Sequence, residues 1–414
     1  MPQLRSEPQQ PIGGEELASA LRPAWVDVDL DALEHNLHAI RSRAPGVKMM
    51  AVVKADGYGH GAVGVSRALA AAGVDWLGVA LLEEGAKIRR AGVDVPILVL
   101  GTARPARIAL YQRYRLVPTV SSLIELALWR DWSAAQAEPQ PIHLKVDTGM
   151  GRLGVALDEV PTALEVIRRH PRLLLAGLLS HFADADDLAS PHNALQAARF
   201  DEVLRLLNPR ERENVIVHMA NSAATLYREE SRHNLVRLGL ALYGLDPARR
   251  PRWGAEDVPP PSTDLDLRPV MSLLTRIVQL REVPPGTPLS YGGRSVTRRR
   301  SRIGVVPVGY ADGYSWRLTG RAQALVRGHR VPVAGSVTMD MTLLDVTTTG
   351  AELGDEVVLL GRQGSEEISA IELAEIAGTI PWEILCHLGL RLPRRYVRGG
   401  RVEEIMSQFS REDA

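Results

Sequence analysis

The chain has 414 residues, which is long enough for two domains, one of them a complete strand-helix barrel. Its 49 acidic and 49 basic side chains balance, so no global field attracts nucleic acid or an anionic membrane surface. The single cysteine, Cys386, excludes an internal disulfide framework, and no stretch approaches the length of a membrane span. We therefore expect a cytoplasmic protein with neither nucleic acid nor membrane as a partner.

The first part of the chain alternates short apolar runs with segments of helical period. Residues 1–22 are rich in Pro, Gln and Glu and are expected to be a disordered extension, not a secretory signal. Ala24–Leu30 alternates as a half-exposed strand does, and Asp31–Ser42 has the pattern of a helix. Strands are then predicted at Met49–Val53, Trp76–Val79, Ile97–Leu100, Leu116–Val120, Ile142–Val146, Leu173–Leu179, Val215–Val217 and Leu235–Leu238.

This rhythm predicts that residues 23–250 form an α/β fold, a (β/α)8 TIM barrel, because each strand-helix unit takes about 25–30 residues. Predicted helices such as Ser121–Trp132, Ala163–Arg169 and Ala194–Leu207 separate the strands. An open doubly wound sheet is the alternative, but the first strand is not followed by the Gly-x-Gly-x-x-Gly fingerprint of that fold.

Prolines mark the end of the barrel segment. Residues 251–267 contain Pro251 and Pro259–Pro261 and are predicted to be a linker. Residues 268–405 are expected to form a mostly β domain, followed by a tail at 406–414, and the Ala24 strand belongs to the barrel segment or to this second sheet. The expected elements are strands at Val270–Val278, Arg302–Val308, Ala322–Arg327, Arg330–Val333, Thr342–Val346 and Glu356–Leu360 and a helix at Ser369–Ala377.

A lysine closes the first barrel strand. The stretch Ala51–Gly61 is an apolar run that ends at Lys54 and continues into a glycine-rich turn, with a helix expected from Ala62. Residues at the carboxyl ends of barrel strands face the active-site mouth, where desolvation disfavours the ammonium form. Only four of the 49 basic residues are lysines, so a lysine in this context is favoured for chemistry that needs a neutral amine. A strand-end lysine that simply reaches solvent is the alternative.

Other strand ends carry polar residues as well. Lys145 and Arg152 follow the fifth strand, and His181 follows the sixth. Ser222 opens a helix after the seventh strand, where backbone N–H groups converge on an anion, and the eighth strand carries Arg237 and Gly239. The ends of the seventh and eighth strands are the usual phosphate site of a barrel. Each residue alone has an ordinary structural explanation, but their conjunction favours a site.

The order of these motifs resembles that of the bacterial alanine racemases, enzymes that use pyridoxal 5′-phosphate. The resemblance extends from about Trp25 to Tyr396. It is carried by Val53–Gly61, Lys145–Gly154, Ser180–Ala183, His218–Leu226, Val236–Gly244, Pro288–Gly292, Gly309–Gly313 and the pair Met339–Asp340. The resemblance implies that Lys54 forms the Schiff base with the cofactor, while Arg237 faces the ring nitrogen and keeps the ring a weak electron sink. It implies further cofactor contacts from Tyr58, His181, Asn221, Ser222, Gly239 and Leu240.

The resemblance also implies a second catalytic residue, Tyr291, on the opposite face of the substrate from Lys54. It implies that this tyrosine reaches the barrel of a partner subunit, which makes the protein a homodimer with shared active sites. The expected substrate-site residues are Arg152, Tyr310 and Met339. Lys145 is expected either to carry a carbamate, as the resemblance implies, or to form an ordinary ion pair with Asp147.

The expected reaction is interconversion of L- and D-alanine, supplying D-alanine for peptidoglycan. A broader racemase acting on serine or basic amino acids, a related decarboxylase and a non-catalytic cofactor-binding protein are the alternatives. Ser336 and Leu390 depart from the residues that family members commonly have. A basic cluster, expected to be a solvated hairpin face, comprises Arg294, Arg298, Arg299, Arg300 and Arg302.

Overall fold

The computed structural model describes residues 22–102, 107–249, 263–293 and 295–408. Most of the expected extension, part of the expected linker, Arg294 and the end of the expected tail lie outside these ranges. The chain divides into two compact units. One comprises Leu30–Pro269, and the other combines the first strand, β1 (Ala24–Asp29), with the chain from Val270 onward.

The first unit is an eight-stranded parallel barrel. Its strands are β2 (Lys48–Val52), β3 (Trp76–Val79), β4 (Ile97–Val99), β5 (Leu116–Val120), β6 (Gln140–Lys145), β7 (Leu173–Leu179), β8 (Ile216–His218) and β9 (Leu235–Leu238). Neighbouring strands pair in chain order, and β9 pairs with β2. The TIM-barrel prediction is therefore confirmed.

The seam between β8 and β9 is bridged by isolated hydrogen bonds. The backbone N–H of Asn234 donates to Val217 O at 3.3 Å, and the Asn234 side chain accepts from Val217 N at 2.7 Å. Further along, Arg237 N donates to Ala220 O at 3.0 Å. These bonds hold the last two strands close enough for their carboxyl ends to share a site.

Helices follow the strands in the expected alternation. They are α1 (Leu30–Arg43), α2 (Ala62–Ala71), α3 (Leu82–Arg90), α4 (Ile108–Arg113), α5 (Leu123–Ala134), α6 (Val160–Arg169), α7 (Pro191–Arg205), α8 (Pro209–Asn214) and α9 (Ser222–Tyr227). Their ends follow local rules: Ser122 caps α5 and Asn208 caps α8 by accepting a backbone N–H of the first turn. No helix in the part of the chain that the structure describes is long and apolar enough to cross a bilayer.

The second unit is mostly β. Its strands are β1, β10 (Met271–Arg276), β11 (Gln279–Val283), β12 (Pro288–Leu289), β13 (Ser295–Val296), β14 (Ser301–Val306), β15 (Gln323–Val326), β16 (His329–Pro332), β17 (Thr342–Asp345), β18 (Glu356–Gln363), β19 (Glu366–Ile368), β20 (Arg394–Arg398) and β21 (Arg401–Met406). Two helices accompany them, α10 (Ala370–Ala377) and α11 (Pro381–His387).

Strand β1 lies in this second sheet, the second of the two positions that the sequence left open. It pairs antiparallel with β10 and parallel with β20 in a sheet of order β16-β15-β18-β10-β1-β20-β21. A three-stranded sheet, β11-β14-β17, carries part of the arginine cluster. There Arg300 pairs with Glu282 at 2.6 Å and Arg299 lies 4.0 Å from Asp345.

Candidate active site

Lys54 lies just beyond β2, at the carboxyl end of the barrel strands, and is half-buried. The backbone after it makes a left-handed turn, with φ of 52° at Ala55, 51° at Asp56, 66° at Gly57 and 53° at Tyr58. Because three of these residues carry a Cβ, each costs about 1–2 kcal/mol in this conformation. Such strain persists only where the surroundings hold it, and it is concentrated at functional sites.

Hydrogen bonds hold the turn against this strain. Gly57 N donates to Val53 O at 2.9 Å, and Gly61 N donates to Asp56 O at 2.7 Å. The Asp56 carboxylate accepts from Ala62 N at 3.0 Å, which joins the turn to the first residue of α2. A Cβ at Gly57 would lie 2.9 Å from a Val65 methyl group, so glycine avoids a steric conflict there and adopts positive φ without the strain of its neighbours.

The ends of β8 and β9 form a small polar cradle beside Tyr58. The Ser222 hydroxyl, in the first residue of α9, accepts from Gly239 N at 2.8 Å and lies 3.4 Å from Ala241 N. A Cβ at Gly239 would lie 2.7 Å from the Tyr58 hydroxyl and 3.8 Å from that of Ser222. Glycine therefore lets two hydroxyls and the backbone approach one another, an arrangement that suits a phosphate.

Two further predicted residues flank this cradle. The Asn221 side chain accepts from Ala224 N at 3.0 Å and so caps α9, while Leu240 follows Gly239 and is buried. Asn221 thus has a structural role, because its cap stabilises the first turn of α9, which begins at Ser222.

Arg237 lies fully within the barrel end, and its guanidinium makes five hydrogen bonds. Its guanidinium donates to the backbone oxygens of Ser180, His218 and Met219 at 2.9–3.0 Å. It also contacts Nδ1 of His218 at 3.0 Å and Nδ1 of His181 at 2.9 Å. Burial lowers the pKa of Arg237 to about 10, which leaves it charged at neutral pH.

The histidines around Arg237 are neutral acceptors. Burial and then the charge of Arg237 lower the pKa of both His181 and His218 well below the ordinary range. Because a guanidinium only donates, we assign both Nδ1 atoms as acceptors, so the His218 proton lies on Nε2. That atom is 2.9 Å from Nδ1 of His143, whose pKa is lowered to about 3 by burial and then by Arg237.

His143 itself was not identified from the sequence. It is fully buried in β6, and a Cβ at Gly177 of the neighbouring strand would lie 2.2 Å from its ring. Its Nε2 has no hydrogen-bond partner among the described residues. The sequence did indicate that His143 lies near the site. It precedes Lys145 by two positions and so projects from the same face of the strand.

Lys145, the last residue of β6, is buried beside other cations. Burial first, and then the charges of Arg152 and Arg237, lower its pKa to about 8. Asp147 does not pair with it among the ion pairs of the described residues, because its carboxylate accepts the backbone N–H groups of Gly149, Met150 and Gly151 at 2.9–3.1 Å. The ion-pair explanation of Lys145 therefore loses its expected partner.

Arg152 extends from the loop that Asp147 organises and is exposed. The two sides of this loop return together, since Asp147 N donates to Val155 O at 3.0 Å and Val155 N donates to Lys145 O at 2.8 Å. A Cβ at Gly154 would lie 2.4 Å from Asp147 N, so this close return requires glycine.

Gln196 of α7, also missed in the sequence, joins this loop to the one that carries His181. Its amide donates to His181 O at 2.9 Å and lies 3.4 Å from the Thr148 hydroxyl, and its oxygen accepts from Ala183 N at 2.9 Å. A Thr148–Ser180 hydroxyl contact of 2.7 Å adds a second link. The sequence did contain an indication of this role, because Gln196 is a polar residue on the buried face of the predicted helix Ala194–Leu207.

Three predicted site residues lie in the β domain. Tyr291 stands in a short turn between β12 and β13, with 77% of its surface exposed. The Ser290 hydroxyl donates to Ser336 O at 2.9 Å, and the Ser336 hydroxyl donates to Tyr291 O at 3.3 Å. Ser336, one of the departures noted above, thus stabilises the Tyr291 turn, whereas Leu390, the other, is exposed.

Tyr310 and Met339 lie on two loops that are hydrogen-bonded to each other. Tyr310 N donates to Thr338 O at 2.9 Å, and Ala311 N donates to Met339 O at 3.0 Å. A Cβ at Gly309 would lie only 2.3 Å from Thr338 O, so the two loops could not approach this closely without glycine. The Tyr310 and Met339 side chains are 44% and 53% exposed.

The fold and site define a two-domain protein whose barrel brings a strand-end lysine, a small polar cradle and a buried arginine to one rim. Models of the alanine racemase N-terminal and C-terminal domains match residues 28–247 and 270–396. The chain therefore belongs to the alanine racemase family.

Individual relatives agree over nearly the full length. The alanine racemase of Halothermothrix orenii is 42% identical, covering 91% of this chain and 97% of its own. That of Geobacter sp. strain M21 is 43% identical, covering 91% of this chain and 99% of its own. The crystal structure of alanine racemase from Bacillus anthracis with bound L-Ala-P matches with a TM-score of 0.83 at 36% identity, covering 93% of this chain and 98% of that one.

Proposed function

We propose that this protein is an alanine racemase that interconverts L- and D-alanine with pyridoxal 5′-phosphate. The observation that carries the proposal is the pairing of Lys54, on its strained turn, with the Ser222–Gly239 cradle at the same rim of the barrel. Membership of the alanine racemase family supports the assignment.

The residues of the rim fit this cofactor. The Ser222 hydroxyl, the Tyr58 hydroxyl and the backbone around Gly239 and Leu240 would hold its phosphate, and the close approach that Gly239 permits leaves no room for a side chain. Lys54 would bond its aldehyde, and Arg237 would hold its ring nitrogen. When bound, the cofactor supplies an electron sink that stabilises negative charge at the α-carbon of the substrate.

Racemisation needs one proton donor-acceptor on each face of the α-carbon. Lys54 would serve one face, and Tyr291 of a partner subunit would serve the other. The 77% exposure of Tyr291 supports a role outside its own domain, since so large an aromatic side chain offers its apolar ring to a neighbour. We therefore propose a homodimer with shared active sites.

Arg237 would keep the ring nitrogen unprotonated. Its guanidinium does not release a proton near neutral pH. His181 and His218 are neutral because burial lowers their pKa values, so neither supplies a proton to the ring nitrogen. This arrangement limits the delocalisation of charge and favours prompt return of the proton to the α-carbon.

Lys145 would carry a carbamate that orients Arg152 toward the substrate carboxylate. Carbamate formation needs a neutral amine, and a pKa of about 8 supplies an appreciable neutral fraction near physiological pH. Buried beside Arg152 and Arg237, the site favours an anion over a third cation. Met339 and Tyr310 would complete the substrate site from the β domain.

Production of D-alanine for peptidoglycan is the role that we propose in the cell. A cytoplasmic location remains the prediction from the sequence, which has a single cysteine.

The test is circular dichroism of L-alanine over time with enzyme and pyridoxal phosphate. Decay of the signal to zero, with total alanine unchanged, is the expected result. An unchanged signal from folded, cofactor-loaded protein would contradict the alanine assignment, and the same assay with L-serine and L-lysine would then test a broader racemase.

A further inference from the structure

The backbone amide of Ala55, which opens the left-handed turn after Lys54, has its hydrogen-bond acceptor outside the turn. Gly57 N donates to Val53 O and Gly59 N donates to Ala55 O, as in a helical turn. The amide of Ala55 stands at the start of the turn, like the orphan N–H groups that open a helix. The Ala55 N–H belongs to the peptide group that joins Lys54 to Ala55. Its hydrogen bond therefore fixes the backbone next to the Cα atom from which the lysine side chain extends.

Glu84, in the first turn of α3, supplies that hydrogen bond. One carboxylate oxygen accepts from Ala55 N at 2.7 Å. The other accepts from Ala80 N at 2.8 Å and Leu81 N at 3.1 Å, in the loop that follows β3. The two oxygens of one side chain therefore tie the end of β2 to the end of β3.

A neighbouring residue on the same face of α3 gives a second link. Lys87, three positions after Glu84, lies 3.1 Å from the Asp56 carboxylate, which also accepts from Ala62 N. Helix α3 thus contacts the first two residues of the turn with opposite charges, a carboxylate at the Ala55 amide and an ammonium at Asp56.

We propose that Glu84 is a positioning residue for Lys54, holding the left-handed turn in the conformation that aims the lysine. The proposal rests on the proposed function of Lys54. A carboxylate is required because both of its oxygens accept, whereas a glutamine keeps one acceptor and brings two donors toward backbone N–H groups.

Hydrogen exchange of the apoprotein tests the contact directly. In the wild type we expect the Ala55 amide to be protected, and an exchange rate equal to that of an unstructured peptide would overturn the proposal without any variant. In Glu84→Gln and Glu84→Met the Ala55 amide should exchange at least about tenfold faster, because a charge-assisted hydrogen bond is lost.

Glu83→Gln is the matched control. Glu83 precedes Glu84 on the same helix but pairs with Arg107 at the surface, so its loss leaves the turn untouched. Exchange at Ala55 in Glu83→Gln should equal that of the wild type. If hydrogen exchange at Ala55 were accelerated equally in the Glu83 and Glu84 variants, the cause would be a general loosening of α3. That result would overturn the proposal.

The rate at which Lys54 captures added pyridoxal phosphate, trapped with borohydride and located by mass spectrometry, gives the second readout. We expect slower capture in Glu84→Gln and a fall in kcat of about tenfold, with the KM for alanine nearly unchanged, since the substrate contacts remain. Wild-type capture rates in Glu84→Gln would overturn the positioning role. If Lys54 of the wild type captured no pyridoxal phosphate, the proposed function would be contradicted instead. The experiment therefore distinguishes failure of the Glu84 proposal from failure of the proposed function.

Discussion

In the barrel, most of the predicted site residues are buried, and several are held by hydrogen bonds within that domain. Arg237 is 4% exposed and its guanidinium makes five hydrogen bonds, and Gly239 is fixed by Ser222. In the β domain, Tyr291, Tyr310 and Met339 are 77%, 44% and 53% exposed, although their backbones are well anchored. The candidate half-site of the barrel is therefore held in place by its own domain, whereas the β domain presents exposed side chains on hydrogen-bonded loops.

This difference indicates what each half needs. A buried cation such as Arg237 is tolerable only with its acceptors already in place, so that part must be complete before any ligand arrives. Exposed aromatic and thioether side chains are available to contact a neighbouring surface. The proposed homodimer, in which each β domain would complete the partner's barrel, is consistent with both observations and can be tested by breaking either half.

Lys54→Arg should have the largest effect. Arginine keeps the positive charge but cannot form a Schiff base or lose its proton near neutral pH, so racemisation should fall by about 10³-fold or more. Circular dichroism of alanine measures the rate. Lys48→Arg, at the exposed opposite end of β2, is the control and should retain full activity. Appreciable activity in Lys54→Arg would place the chemistry on another residue.

Mixed dimers test whether the two halves come from different chains. Tyr291→Phe should lower activity by about 10²-fold or more, because one face of the α-carbon loses its acid-base group. After co-expression of Lys54→Arg with Tyr291→Phe, about a quarter of the wild-type activity should return, since half of the dimers are hybrids with one of two sites intact. Activity no greater than that of the parent variants would contradict shared sites.

The sequence was enough to predict the barrel and the residues at its strand ends. Apolar runs with a regular repeat determine such a fold, and the predicted strand at Met49–Val53 differs from the observed Lys48–Val52 by one residue at each end. In the β domain, the strands β11, β12, β13, β19, β20 and β21 and the helix α11 were missed. Strands β11 and β21 are rich in charged residues, so neither shows an apolar run.

The conformation of the site could not be predicted in the same way. Asp tolerates the left-handed conformation, but the alanine side chain of Ala55 gives no indication of its positive φ, and one Asp does not predict a run of four such residues. The chain from Arg237 through His218 to His143 joins residues that are distant in sequence, so it depends on the register of three strands. Such contacts are set by tertiary packing, which periodicity does not encode.

Gln196→Met tests how much the barrel half-site depends on its internal supports. Methionine matches glutamine in size but loses the hydrogen bonds to His181 O and Ala183 N. Each such bond contributes about 0.5–1.5 kcal/mol, so we expect kcat to fall about tenfold as the two loops loosen. Steady-state kinetics measure this, with exposed Gln279→Met as the control. Loss of thermal stability with unchanged kcat would show that Gln196 only supports the fold.

The neutral histidines should make the barrel half-site sensitive to acid. His143 has a pKa of about 3 in the folded protein, below the value of 6.5 expected when it is exposed. Below about pH 6.5 the unfolded chain therefore binds a proton that the folded chain does not. The stability contributed by the neutral histidine is complete above that pH and is lost as the pH falls toward 3, by about 1.4 kcal/mol per pH unit.

In urea unfolding of the apoprotein at several pH values below about 6.5, His143→Asn should reduce the slope of unfolding free energy against pH by that amount. The Asn side-chain oxygen can still accept the proton of His218 Nε2, so the rest of the chain to Arg237 is retained. His192→Asn, at an exposed position of α7, should leave the slope unchanged. An unchanged slope in His143→Asn would mean that the histidine chain opens to solvent before the domain unfolds, and the barrel half-site would then be less rigid than its burial indicates.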